Sequence, residues 1–317
     1  MVLALMMVIT ASGNTAGVNT TLQKAKSGDP VAQIVLGTMY YEGHGVTKDY
    51  KKAFEWFAKA AELGNAMAQH NLGVMYARGN GVPQNHKRAF EWYTRAAEQG
   101  FADAQHNLGL MYDSGLGIPQ DHKKAFEWYA KAAGQGLADA QCNLGIMYFE
   151  GHGVQQNHKK AFEWYAKAVE QGVADAQYNL GHMYCHGYAV PQDYKKAAEL
   201  YTRAARQGVP VAQYDLGLMY VKGHGVPQDY KKAAELYTRA AEQGFADAQC
   251  NLGIMYLNGN GVRQDYVQAY KWFITSAAQG LESASRNKDV LIKYMTPAQI
   301  TEGQRLSHEA MGRVKHK

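Results

Sequence analysis

Cysteine is scarce. The 317 residues hold three thiols, Cys142, Cys185 and Cys250, too few for a disulfide framework, and they neither demand nor exclude an oxidising compartment. Proline is scarce too, with 7 residues. No apolar run reaches the roughly 18–20 residues of a membrane-spanning helix. An excess of one charge is also missing: 33 basic against 28 acidic residues leave a formal +5, which does not by itself imply a nucleic-acid partner. No Ser-His-Asp set, paired carboxylates or phosphate-binding loop recurs, so no catalytic residue and no cofactor is assigned.

What is abundant is glycine, 33 residues, and it falls at fixed intervals. Leu-Gly recurs at Leu36-Gly37, Leu72-Gly73, Leu108-Gly109, Leu144-Gly145, Leu180-Gly181, Leu216-Gly217 and Leu252-Gly253, always 36 residues apart. Length alone suits two ordinary domains, but repetition overrides that prior. Seven copies fill 29–64, 65–100, 101–136, 137–172, 173–208, 209–244 and 245–280. Positions within a copy are numbered 1 to 36 below.

In the third copy, Ala104, Leu108, Met111 and Tyr112 (positions 4, 8, 11 and 12) fall on one helical face. Gly109 sits inside that helix at a cost of roughly 1 kcal/mol against alanine, which points to close approach of another helix. Gly115 and Gly117 supply a turn; Ala189 replaces the second of these in the fifth copy, so that loop is expected to differ. Asp or Asn at position 21 (Asp49, Asn85, Asp121, Asn157, Asp193, Asp229, Asp265) reads as the N-cap of a second helix. That helix buries Ala125, Trp128, Tyr129 and Ala132. Each copy is therefore a helix hairpin that can cover its apolar faces only by stacking. Thr20–Gly28 reads as half of a second helix capping the N-terminus, within 17–28. Residues 281–317 read as C-terminal capping helices, with Thr296-Pro297 restarting a helix.

These residues identify the chain as similar to the Sel-1-like repeat family, a branch of the tetratricopeptide-like solenoids. The resemblance rests on A-x-x-x-LG-x-MY, G-x-G-V-x-x-D and A-x-x-x-[YF]-x-x-AA-x-x-G from Asp29 to Gly280. Gln105 stands where the tetratricopeptide signature has Trp. The resemblance implies an all-α, right-handed α/α superhelical solenoid and scaffold or adaptor work in bacteria, with a protein or extended peptide as partner.

It also implies that first helices line a concave groove. Position 7 is Asn at Asn71, Asn107, Asn143, Asn179 and Asn251, with Val35 and Asp215 as exceptions. An amide suits a peptide backbone; equally, each Asn could fix its own inner loop. Position 6 varies: Ile34, His70, His106, Cys142, Tyr178, Tyr214, Cys250. The candidate groove set is His106, Asn107, Cys142, Asn143, Tyr178, Asn179, His182 and Tyr214, in the central copies. His182, Cys185 and His186 share one helical side but lack a fourth metal ligand; a polar groove patch is the alternative. Lys123-Lys124, Glu127 and Lys131 read as a solvated ladder with Glu and Lys four apart.

Two function classes follow: a non-enzymatic, monomeric interaction scaffold, or β-lactam binding or hydrolysis as described for cysteine-rich relatives. For the second, Ser285-x-x-Lys288, Ser12-x-Asn14 and Lys26-Ser27-Gly28 occur in the wrong order, and the cysteine pairs of that branch are absent. Residues 1–16 contain the apolar run Val2–Ile9, then Ala11, Ser12 and Gly13. This reads as a signal peptide without a basic start, hence a periplasmic or secreted protein, or else as the apolar N-terminus of a cytoplasmic one.

Overall fold

The computed structural model describes residues 15–315, which form seventeen α-helices and one 3-10 turn and contain no strand. The signal-peptide reading lies outside the described residues, apart from its last two. The chain divides into two compact units at Trp164/Tyr165. The first holds α1 (Thr15–Lys26), α2 (Pro30–Glu42), α3 (Tyr50–Glu62), α4 (Ala66–Arg78), α5 (His86–Glu98), α6 (Ala102–Ser114), α7 (His122–Gly134) and α8 (Ala138–Glu150). The boundary falls inside α9 (His158–Glu170). The second unit continues with α10 (Ala174–His186), α11 (Tyr194–Arg206), α12 (Pro210–Lys222), α13 (Tyr230–Glu242), α14 (Ala246–Asn258) and α15 (Tyr266–Ala277). It ends in α16 (Glu282–Leu291) and α17 (Pro297–Lys315). The fold is an all-α repeat solenoid; in the first unit α1 to α8 pack each on the next, and in the second α10 to α16 do so, with α17 packed on α15.

Position 21 caps the second helix as expected. Asp121 Oδ1 accepts from Lys124 N–H at 3.0 Å, and Asn85 and Asp193 repeat the bond. The turn before it is closed by two carbonyls. Met111 O takes the N–H groups of Gly115 and Leu116, and Tyr112 O takes that of Asp121. Gln120 Nε2 then reaches back to Asp113 O at 2.6 Å, and Gln84, Gln156, Gln192, Gln228 and Gln264 do the same in their copies. The inner loop is thus fastened by position 20, which leaves position 7 other work. The fifth loop does not differ: Ala189 adopts φ +59, the left-handed conformation of the glycines it replaces.

The mid-helix glycine marks a contact within the hairpin. A Cβ on Gly109 would stand 2.6 Å from two ring carbons of the buried Tyr129, and Gly37, Gly73, Gly181, Gly217 and Gly253 face their position-29 rings in the same way. Gly117 marks a contact between copies, since a Cβ there would meet His86 Cβ at 2.6 Å.

The second-helix charges are arranged differently from the expected Glu-Lys ladder. Lys131 Nζ lies 3.8 Å from the Trp128 ring centroid, and Lys59 and Arg95 cover Trp56 and Trp92. Lys124 lies over Tyr112 and 3.8 Å from its N-cap Asp121. A cation over an indole face gains from the ring quadrupole and shields apolar surface, which an exposed Glu-Lys pair does not.

The C-terminal helices close the stack. Thr296 and Gln299 form a reciprocal capping box ahead of Pro297: Gln299 Oε1 accepts from Thr296 N at 2.9 Å, and Thr296 Oγ1 accepts from Gln299 N at 3.3 Å. Gly303 of α17 rests against the Tyr270 ring of α15.

Candidate functional site

First helices of neighbouring copies are tied by side chains 37 residues apart. Asn107 Nδ2 donates to His70 Nε2 at 3.0 Å, and Asn143 Nδ2 to His106 Nε2 at 3.0 Å. An amide nitrogen can only donate, so both imidazoles accept and are neutral. Burial agrees, holding both histidines below the usual imidazole range. In the second unit Tyr178 donates to Asp215 Oδ2 at 3.0 Å. Asn287, position 7 of a partial eighth copy, approaches Cys250 Sγ at 3.8 Å. The rule is position 6 of one copy to position 7 of the next. The first junction breaks it, because Ile34 offers Asn71 no polar atom.

A second tie runs through glutamine. Gln at position 5 is buried in every copy. Gln105 Nε2 donates to Ala97 O of the preceding copy at 3.1 Å, while its Oε1 accepts from Gln135 Nε2 at 2.8 Å. Gln69–Gln99, Gln177–Gln207, Gln213–Gln243 and Gln249–Gln279 repeat the pair. This explains the glutamine in the place of the tetratricopeptide Trp: it serves a polar seam. The signal was in the sequence, as Gln recurs at both positions 5 and 35, and the antiparallel hairpin of a single copy brings the two together.

The candidate groove residues occupy unequal places. His106, Asn107, Asn143 and Tyr178 are half-buried and engaged at junctions. Tyr214 is half-buried against Tyr237 and Phe245, with centroids at 5.7 and 5.3 Å. Asn179 is half-buried and Cys142 is buried. Positions 10, 13 and 14 present more surface: Leu110 is exposed, as are Glu42, Arg78 and Glu150. In the first unit, Tyr41, Glu42, Met67, His70, Asn71, Val74, Arg78, Phe101 and Asp103 help to line a cavity of about 340 Å³. It lies on the first-helix face of the first three copies, ahead of the central copies expected from sequence.

A model of the Sel1 repeat matches residues 30–65, 66–101, 102–137, 138–173, 174–209, 210–245 and 246–281, one residue later in phase than the numbering above. The chain belongs to the Sel1 repeat family. Among solved structures, a Sel1 repeat protein from Oxalobacter formigenes is 38% identical, with TM-score 0.69 over 86% of this chain and 78% of that one. A protective antigen of uropathogenic Escherichia coli strains with the same repeat fold is 32% identical, with TM-score 0.46 over 94% and 79%. No curated protein matches. Sel1 repeat proteins are generally protein-interaction scaffolds and typically non-catalytic.

Within this Sel1 array the His182, Cys185 and His186 set does not converge. The imidazole centroids of His182 and His186 lie 4.1 Å apart with their planes tilted by 35°, and Tyr188 stands against both. His186 Nδ1 turns to His182 O at 3.0 Å. Cys185 faces Tyr201, and burial holds its thiol above the usual range. Among the described residues no three His, Cys, Asp or Glu side chains are placed to hold a metal ion. Of the β-lactam motifs, Ser12-x-Asn14 lies outside the described residues. Lys288, on α16 with Ser285, pairs with Asp289 at 3.3 Å. Among the described residues no helix is long and apolar enough to cross a membrane.

Proposed function

We propose that this Sel1 repeat chain is a non-enzymatic scaffold that holds a protein segment in extended conformation against the faces of its first helices. The observation that carries the reading is the contrast between the two faces of those helices. The buried face repeats Ala, Leu, Gly and Met in all seven copies, whereas positions 6, 10 and 13 differ from copy to copy. A uniform core with a varied second face suits one chosen partner. Contacts are proposed at His106, Asn107, Asn143, Tyr178, Asn179, His182 and Tyr214. The junction asparagines among them use an N–H on a neighbour and keep Oδ1 to accept from a peptide N–H. Cys142 contributes packing beneath them.

The test places a photocrosslinking residue at Leu110, on the first-helix face, or at Glu127, on the second helix, and probes partner protein recovered with the native chain. Crosslinks from 110 and not from 127 are expected. Crosslinks from 127 alone would move the docking face to the second helices and overturn the reading. Export is proposed with it, from the Val2–Ile9 run; a native N-terminus near Asn14 or Gly17 by mass spectrometry is the expected result, and an intact Met1 in cytosolic extract the contrary one.

A further inference from the structure

The first-helix face of the first unit is acidic, although the whole chain is basic. Positions 3, 6, 7, 10, 13 and 14 of copies one to four carry Glu42, Asp103, Asp113, Asp139 and Glu150 against a single cation, Arg78. Two of the carboxylates are engaged: Asp113 with His122 at 2.8 Å and Glu150 with His152 at 3.1 Å. At the cavity, Arg78 and Glu42 come from adjacent helix ends and balance each other. Asp103 and Asp139 remain. Both are exposed, both stand at position 3 of successive first helices, and neither forms an ion pair among the described residues.

The cavity that Asp103 helps to line has an apolar floor, Met67, Val74 and Phe101, and a polar wall at Asn71. Asn71 is also the position-7 amide that the Ile34 junction leaves without its cross-copy bond. A volume of about 340 Å³ is at the small end of ligand pockets, suited to one bulky side chain and its peptide unit.

Neighbouring first helices touch through the position 6 and 7 bonds, so their axes are about 10 Å apart. An extended chain covers that distance in about three residues. We infer that the first unit binds an extended basic peptide with a bulky apolar residue in the Met67–Val74–Phe101 cavity and Lys or Arg three and six residues further on, facing Asp103 and Asp139. This rests on the scaffold reading above and adds the partner's sequence character and its register.

The probe is a fluorescein-labelled, amidated Phe-Ala-Ala-Lys-Ala-Ala-Lys, read by fluorescence polarisation with the full chain. Binding is expected to weaken as salt rises, since exposed pairs are screened. Replacing the peptide Phe by Ser, or the chain's Asp103 and Asp139 both by Lys, should each weaken it about tenfold or more. Phe-Ala-Ala-Glu-Ala-Ala-Glu should bind the doubly substituted chain better than the native one. Asp103 and Asp139 lie in the first turns of α6 and α8, where a cation opposes the helix dipole, so a modestly lowered melting midpoint with native ellipticity is expected and verifies the fold. Equal affinity of the native chain for the Lys and Glu peptides, or no binding of either, overturns the inference. If crosslinks from Leu110 persist in that case, the scaffold reading survives and only the peptide class falls.

Discussion

At the scale of single residues, Gln33 is the informative exception. Its Nε2 donates to Ala25 O at 3.2 Å, but its Oε1 is buried without a partner. The reason is at position 35, where the first copy has Leu63 in place of the glutamine that serves Gln69, Gln105, Gln177, Gln213 and Gln249. Leu63 is 62% exposed, so it contributes little packing. Leu63→Gln should therefore raise stability by about 1 kcal/mol, the net worth of one hydrogen bond, read as a higher midpoint in urea. An unchanged midpoint would mean that the orphaned oxygen carries no penalty. The opposite sign is expected at Gly109. Alanine there drives a Cβ to 2.6 Å from the Tyr129 ring, and a ring packed on all sides cannot yield cheaply. Gly109→Ala should cost about 1–3 kcal/mol in spite of its better helix propensity. The same change at the exposed Gly134, where nothing lies within 4 Å of the added atom, should be neutral or mildly stabilising.

At the scale of helices and their junctions, the legible and the hidden parts of the chain separate cleanly. Seven internal copies made the hairpins, caps and turns readable, because each signal is local: Asp121 precedes its helix, Gly115 ends the one before. The junction bonds were not readable in the same way. Asn107 looks identical in sequence whether it holds its own loop, a ligand or His70; only the stacking of copies decides. Ala189 differs for the opposite reason: Tyr188 N–H on Met183 O and Asp193 N–H on Tyr184 O fix the loop around it, in a backbone conformation that local preference opposes. The Tyr178–Asp215 junction gives a test with a defined sign. Burial raises the Asp215 carboxyl above its usual range, against the lowering effect of the Tyr178 hydroxyl. The folded chain thus binds the Asp215 proton more tightly than the unfolded chain. Its favourable contribution is complete below the unfolded value and is lost as pH rises through the folded one. Asp215→Asn, which restores the residue of five other copies, should raise the melting temperature at pH 7. The advantage should shrink as pH falls into the acid range where Asp215 itself becomes protonated. An advantage independent of pH would assign it to the amide's bonding and not to relief of a buried charge.

At the scale of the whole molecule, a repeat array is held by nearest-neighbour junctions, so its weakest junction decides where it opens. The two ends differ in this respect. The first copy lacks the position 6–7 bond and the glutamine pair, because Ile34 cannot bond Asn71 and Leu63 cannot bond Gln33; it is joined to the second copy by Gln69 Nε2 on Ala61 O at 3.3 Å and Asn80 Nδ2 on the Tyr41 hydroxyl at 2.9 Å. The seventh keeps both, through Gln249–Gln279 at 2.8 Å and Asn287 on Cys250 Sγ. Behind it, Ser276 Oγ adds a bond to Ala246 O at 2.8 Å, and α17 packs on α15. Hydrogen exchange should therefore find α2 and α3 opening before α14 and α15, although both pairs lie next to an end of the stack. Equivalent amides make the comparison fair, since Leu36 and Leu252, or Met39 and Met255, share position and neighbours in sequence. Simple fraying predicts similar protection at the two ends and no response to a change at position 35. The junction argument predicts that Leu63→Gln slows exchange in α2 and α3 while leaving α14 and α15 unchanged. If the seventh copy opens first, or if Leu63→Gln protects nothing, the glutamine seam is an ornament of the fold and apolar packing alone sets the order of opening.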